Sequence, residues 1–309
     1  MKKQSGRREF LMTVSQVLGA SALAGSVSTQ ALAGHSTTPG LPAVVPEGFT
    51  VGDVMNLILK TIPGAPFPKT VDTLKSGSAD QKVTGIVTTM FATIEVINKA
   101  VATGANFIIA HEPTFYNHLD ETNWLENDAV YQYKSALLKK HNIAVWRFHD
   151  YIHSHQPDGV RMGVMTALGW EKYYDDKNPH VFTLPGLSLK NIAATAKQKL
   201  GIPTVRIIGD LNQSCRRILL LPGASGGRSH IQGIENEKPD LLIIGELSEW
   251  ETAEYIRDAR LKGDTISLLV LGHAVSEEPG LEWLVTFLQP KVPGIKVQHV
   301  PSGNPFLFV

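Results

Sequence analysis

The chain has 309 residues, 43% of them hydrophobic and 19% charged, with 29 basic against 29 acidic, a composition that excludes a disordered or fibrous chain. The first 33 residues carry four basic and one acidic residue, so the remainder holds 25 basic against 28 acidic and offers no electrostatic attraction to nucleic acid or an anionic membrane. The single cysteine, Cys215, excludes an internal disulfide and a multi-thiolate metal site, which leaves nitrogen and oxygen as ligands for any metal.

Gly6-Arg7-Arg8-Glu9-Phe10-Leu11 resembles a twin-arginine export motif. The modestly apolar residues 11–25 follow, interrupted by Ser15 and Gln16; a spanning helix needs about 20 apolar residues, so this stretch suits a signal better than an anchor. Ala31-Leu32-Ala33 supplies a small-x-small cleavage site. The expected outcome is a periplasmic protein beginning at Gly34, with no membrane attachment once residues 1–33 are removed. Residues 34–46, rich in Thr, Pro and Gly, read as a linker.

Beyond it, strands and helices alternate. The pattern predicts a strand over 82–88, a helix over 93–103 stopped by Gly104, a strand over 106–110, a helix over 127–140, a strand over 143–148 and a helix over 158–168 closed by Gly169. A second half starts near 180, with strands at 180–184 and 204–209 around a helix at 189–199. The strand at 216–221 empties into Pro222-Gly-Ala-Ser-Gly-Gly227. A strand at 240–244, a helix at 249–262, a strand at 266–271, a helix at 280–288 and a strand at 295–300 complete the chain. Alternation of this kind predicts an α/β fold with mixed or mainly parallel sheets covered on both faces. The expected organisation is two lobes, 47–175 and 176–309, facing one another across a cleft.

Three of the apolar strands end in His and carboxylate side chains: His111-Glu112-Pro113, then His149-Asp150-Tyr151-Ile152-His153, then His273-Ala-Val-Ser-Glu277. Ligand sites of open α/β sheets gather beyond the carboxyl ends of the strands, so three such clusters point to a polynuclear metal site. His118, His141 and His155 are set aside: two lie in polar loops, and His141 suits a helix carboxyl end, where a cation is favoured. A zincin helix is excluded because Phe115 stands where its second His belongs. Ser225 and Gly226, in the Gly-rich turn, are candidates for contact with an anionic substrate through backbone N–H groups, although a plain strand-to-helix turn accounts for them equally. Glu246 follows a buried strand and falls at the same sheet edge.

In this order, Val83-Thr-Gly-Ile-Val-Thr-Thr89, Ile108-Ile-Ala-His-Glu-Pro113, the turn at 223–227, Gly245-Glu246, Gly272-His-Ala-Val-Ser-Glu277 and Asn304-Pro305-Phe306 resemble the NIF-three-like family, also labelled GTP cyclohydrolase I type 2, from about residue 50 to Val309. The resemblance implies a dinuclear metal centre held by His111, Glu112, His153, His273 and Glu277, and a homo-hexamer. It also shows an exchange. The family's His-His-Pro is His111-Glu112-Pro113 here, and its His-Thr-Asn-Leu-Asp is His149-Asp-Tyr-Ile-His153, so a gained carboxylate is matched by a lost one.

The functional expectation is a hydrolase that uses a hydroxide bridging two divalent ions (Zn, Fe, Mn or Ni) on an unidentified small molecule. Glu246 or Asp150 stands as general base, with His149, Ser225, Gly226 and Glu249 toward the substrate. The alternative is a metal-binding or scaffold protein without turnover.

Overall fold

Most central strands are buried on both faces, which is why they read as unbroken apolar runs rather than alternating ones. In the computed structural model, which describes residues 48–309, ten strands form two five-stranded sheets. The twin-arginine signal, its cleavage site and the linker over 34–46 lie outside the described residues.

The first sheet has the order β1-β4-β3-β2-β10, from Leu74–Ser76 (β1), Ile86–Thr89 (β2), Phe107–Ala110 (β3), Ala144–Arg147 (β4) and Val297–His299 (β10). All neighbours are parallel except β1 on β4. The second has the order β5-β7-β8-β9-β6, from Val181–Ser188 (β5), Arg206–Ile208 (β6), Ser214–Leu221 (β7), Leu241–Ile244 (β8) and Ser267–Val270 (β9). Its three inner strands are parallel, and β5 and β6 lie antiparallel at the edges. These are the mixed sheets expected from the alternation.

Helices cover both faces. Val51–Leu59 (α1) opens with a capping box in which Thr50 and Asp53 bond each other's backbone N–H. Ile94–Ala102 (α2), Ala129–Lys140 (α3) and the short Asp150–Ser154 (α4) follow the first-sheet strands. Gly159–Leu168 (α5), Leu189–Leu200 (α6), Gly227–Glu237 (α7), Glu254–Lys262 (α8) and His273–Leu288 (α9) belong to the remainder. One π-helical turn, Glu249–Ala253, leads into α8. No helix among the described residues is long and apolar enough to cross a membrane.

Two helices tie the sheets together. The α9 helix starts directly beyond β9, yet its Leu281, Leu284 and Leu288 pack in the core beneath the first sheet. The α5 helix leaves the first half and buries Val164, Met165 and Leu168 in the core of the second. They cross at glycines: a Cβ on Gly163 would stand 2.2 Å from the Pro279 carbonyl oxygen, and one on Gly280 would stand 2.7 Å from Val160 Cα. Only a side chain of hydrogen fits such an approach.

Two expectations are corrected by this arrangement. The last long helix begins at His273, not near 280, and carries Pro279 within it. The last strand, β10, pairs with β2 and so belongs to the first sheet, so a division of the chain at 175/176 does not follow sheet membership.

Candidate metal centre

Strand register brings the site together before any side chain is considered. Ala110 lies beside Thr89 and Arg147, so His111 and His149 leave the first sheet at one edge. In the second sheet Leu221, Ile244 and Val270 are in register, which puts Gly223, Glu246 and His273 beyond one common edge. The helical start at His273 places His273 and Glu277 four residues apart on one side of α9.

Six side chains converge. His273 Nε2 is 3.0 Å from Glu277 Oε2 and 3.3 Å from Glu112 Oε1. His111 Nε2 is 3.4 Å from Glu277 Oε2. His153 Nε2 lies 3.8 Å from Glu277 Oε1, and His149 Nε2 lies 3.8 Å from Glu112 Oε1. The His111 ring stacks on His149 at 4.8 Å between centroids, with His153 5.1 Å away edge-on. His111, His149 and His153 form one group with ligand geometry; His111, Glu112 and Glu277 form another.

Each imidazole is held by its other nitrogen. His111 Nδ1 bonds the Phe148 carbonyl at 3.1 Å, His149 Nδ1 bonds Asp150 Oδ1 at 3.0 Å, His153 Nδ1 bonds Asp158 Oδ2 at 3.2 Å and His273 Nδ1 bonds Glu246 Oε2 at 3.2 Å. An acceptor on Nδ1 fixes the tautomer with its lone pair on Nε2, the arrangement that surrounds metal-binding histidines. All four Nε2 atoms point inward.

The buried His111 Nε2 and Glu277 Oε2 face each other at 3.4 Å, and Glu277 Oε2 is also 3.0 Å from His273 Nε2. A proton on either imidazole, or a bound cation, would reconcile these buried groups with the Glu277 carboxylate. The donor set of four imidazoles and two carboxylates, with no thiolate, suits a borderline divalent ion. The residues therefore fit a metal.

The electrostatics follow from the two carboxylates. Burial opposes charge on His273, but Glu112 and Glu277 outweigh it and push its pKa up to about 10. Burial also opposes charge on Glu277, and His111 and His273 reverse that and hold it far below the usual carboxylate range. His149 goes the other way: burial and the neighbouring His111 and His153 bring it down to about 4, against the pull of Asp150.

Among the residues selected from sequence, His111, Glu112, His153, His273 and Glu277 are brought together. His149 sits inside the same group rather than outside it. Asp150 and Glu246 each hold a histidine Nδ1. Asp150 has its other oxygen engaged by the Thr70 hydroxyl and Val71 N–H. Glu249 pairs with Arg206 at the surface. Ser225 bonds His230, and Gly226 caps α7. Gly223 borders the cluster, since a Cβ there would stand 2.2 Å from Glu277 Oε1.

Three contributors escape a reading of sequence. Asp158 holds His153. Asp72 accepts from the N–H groups of His149 and Tyr151 at 2.8 Å each and so fixes the start of α4. The fully buried Arg147 reaches Glu112 Oε2 at 3.3 Å and donates to the carbonyls of His111 and His118. Asp158 had a visible signal as the N-cap of the helix after His153. Arg147 had none, being a cation within an apolar run.

Comparison with known proteins gives a consistent result. A family model described as Duf34/NIF3 (NGG1p interacting factor 3) matches residues 50–305. A GTP cyclohydrolase 1 type 2 homolog of Clostridium perfringens is 25% identical over 218 residues, 67% of this chain and 79% of that one. One from Chlamydia trachomatis is 23% identical over 271 residues, 84% of this chain and all of that one. Among solved structures, Staphylococcus aureus hypothetical protein SA1388 superposes with a TM-score of 0.69 at 22% identity, covering 85% of this chain and 100% of its own. A Bacillus cereus protein related to NIF3 gives 0.67 at 16% identity, covering 84% and 99%.

Proposed function

Because the chain belongs to the Duf34/NIF3 family, we propose that it is an exported protein that binds two divalent metal ions at this cluster and hydrolyses a small molecule there. The observation that carries the reading is the convergence of imidazole and carboxylate atoms on the buried His111, with His149 and His153 in one group and Glu112 and Glu277 in another, each with the spacing of metal ligands. His111, Glu112, His149, His153, His273 and Glu277 would hold the ions. Bound divalent ions supply Lewis acidity and lower the pKa of water.

The protein's own groups do the rest. The Phe148 carbonyl, Asp150, Asp158 and Glu246 orient the four rings. Arg147 takes one oxygen of Glu112 and turns the other toward His273 and His149. Of the two carboxylates considered as base, Asp150 has both oxygens engaged. Glu246 is largely exposed and bonds His273 through only one oxygen. We therefore assign Glu246 as the group that accepts a proton at the mouth of the site.

The curated relatives are named GTP cyclohydrolase 1 type 2 homologs. Export removes this chain from cytoplasmic nucleotides, which favours a substrate other than GTP. The test is hydrolysis of phosphoester, amide and cyclic amidine probes by metal-loaded protein, with His273→Ala alongside. Turnover in the parent that is lost in His273→Ala supports the reading. Stoichiometric metal without turnover on any probe class would reduce the protein to a metal binder.

A further inference from the structure

The turn between β7 and α7 reads Gly223-Ala224-Ser225-Gly226-Gly227. It has the G-x-S-x-G spacing by which a sharp strand-to-helix turn presents a serine above the end of a sheet. The turn lies between a strand and a helix, as that motif does: β7 ends at Leu221 and α7 begins at Gly227. Gly223 and Gly226 have φ of +73° and +83°, values that favour glycine. The turn is seated firmly, because a Cβ on Gly245 would stand 2.4 Å from the Gly223 carbonyl oxygen.

Ser225 is exposed, and its Oγ lies 3.0 Å from Nε2 of His230. His230 is fully buried on α7, and its Nδ1 lies 2.8 Å from the hydroxyl of Thr252, itself fully buried on the π-helical turn. With Nδ1–H donated to Thr252, Nε2 is the acceptor for the serine proton. Burial lowers the His230 pKa, against a pull from Glu251, so the ring is neutral near pH 7. A nucleophile, a base in contact with it and a third group orienting the base form the arrangement that activates serine.

The helix adds donors for developing negative charge. In the first turn of α7 the Gly227 N–H donates to Glu251 Oε2 and the His230 N–H to the Gly226 carbonyl. The N–H groups of Arg228 and Ser229 have no acceptor among the described residues, as the geometry of a helix start dictates. They lie in the first turn of the helix that follows Ser225, at the end where the helix dipole favours negative charge.

We propose that Ser225 is a second reactive centre, a nucleophile toward small carboxylic esters, with His230 as its base and Thr252 as the positioning residue. Ser225 Oγ bonds to the ester carbonyl carbon while His230 Nε2 takes the serine proton. The bond from that carbon to the alcohol oxygen breaks, and His230 returns the proton to the departing alkoxide. Water then attacks the acyl-serine, gives a proton to His230, and releases the acid as the proton returns to Ser225. Thr252 in place of a carboxylate makes the base weaker, so a slow, trappable acyl-enzyme is expected. The proposal does not depend on the metal centre.

The test is covalent labelling of the full chain by a fluorophosphonate probe, before and after chelation, with the site located by mass spectrometry. Turnover of p-nitrophenyl acetate is followed in parallel. One adduct per chain on Ser225 is expected, unchanged by chelation and absent in Ser225→Ala. His230→Gln should slow its formation at least about 100-fold, and Thr252→Ser should retain rate that Thr252→Val loses. Labelling of Ser225 no faster than other surface serines overturns the proposal, as does equal labelling in folded His230→Gln, or labelling that vanishes with the metal. If His230→Gln does not fold by circular dichroism, Ser225→Cys decides. Alkylation with an apparent thiol pKa well below the ordinary value of about 8.5 supports an activating His230, and an ordinary value refutes it.

Discussion

Glu112 and Arg147 form a buried ion pair at the edge of the cluster. The buried guanidinium of Arg147 is neutralised by two buried carboxylates, Glu112 at 3.3 Å and Asp120 at 3.8 Å, and Glu112 carries the charge toward the cluster. The sequence shows the exchange of His for Glu, because Glu112 interrupts a readable motif. It hides the partner, because Arg147 lies in an apolar strand four residues long. The same limit applies to His149 and His153. Both are visible, but motif matching assigns one ligand where the short α4 helix delivers two. The orienting carboxylates lead to the first prediction: Glu246→Gln weakens metal binding about 10- to 100-fold without unfolding the protein, as measured by competition with a coloured chelator. Lys134 leads to the second. It is 4% exposed, and burial brings its pKa down to about 8, with Asp120 only partly opposing. Between that value and the unfolded value of about 10.5 the unfolded chain holds the proton more tightly, so stability rises with pH. Denaturant unfolding should show a gain on the order of 1 kcal/mol per pH unit above pH 8 relative to Lys134→Met, in which the gain is absent.

At the level of elements, α9 joins the chemistry to the scaffold. Its first two turns present His273 and Glu277 beyond β9, while its body lies under the first sheet. Propensity reasoning starts the helix after Pro279, since proline normally ends or bends a helix. That hides a start at His273 even though the i,i+4 spacing of the two ligands already implies one. Gly163 sets how closely α5 approaches this helix, and Gly163→Ala would drive a methyl into the Pro279 carbonyl. It should destabilise the fold by about 1–3 kcal/mol in denaturant unfolding and lower metal occupancy in the same preparations, because it separates the helices that connect the two sheets. Unchanged stability with normal occupancy would show that this crossing does not set the site.

For the whole molecule, the α/β class and the mixed sheets were readable because buried parallel strands leave long apolar runs between helical periods. The membership of β10 was not, because a three-residue edge strand carries no label of the sheet it will join. Export and hexamer formation are expectations at this scale. Protein recovered from its own periplasm should begin at Gly34 by intact mass and sediment as a hexamer. A full-length chain or a monomer would contradict one or the other. The central claim is the metal pair, and the most direct measurement is elemental analysis after metal loading and desalting, run on the parent and on Glu277→Gln. The account predicts two divalent ions per chain in the parent and clear loss in the variant, which removes the charge of the residue shared by His111, His153 and His273. A folded parent that retains no metal, or a variant that retains the full complement, would contradict it.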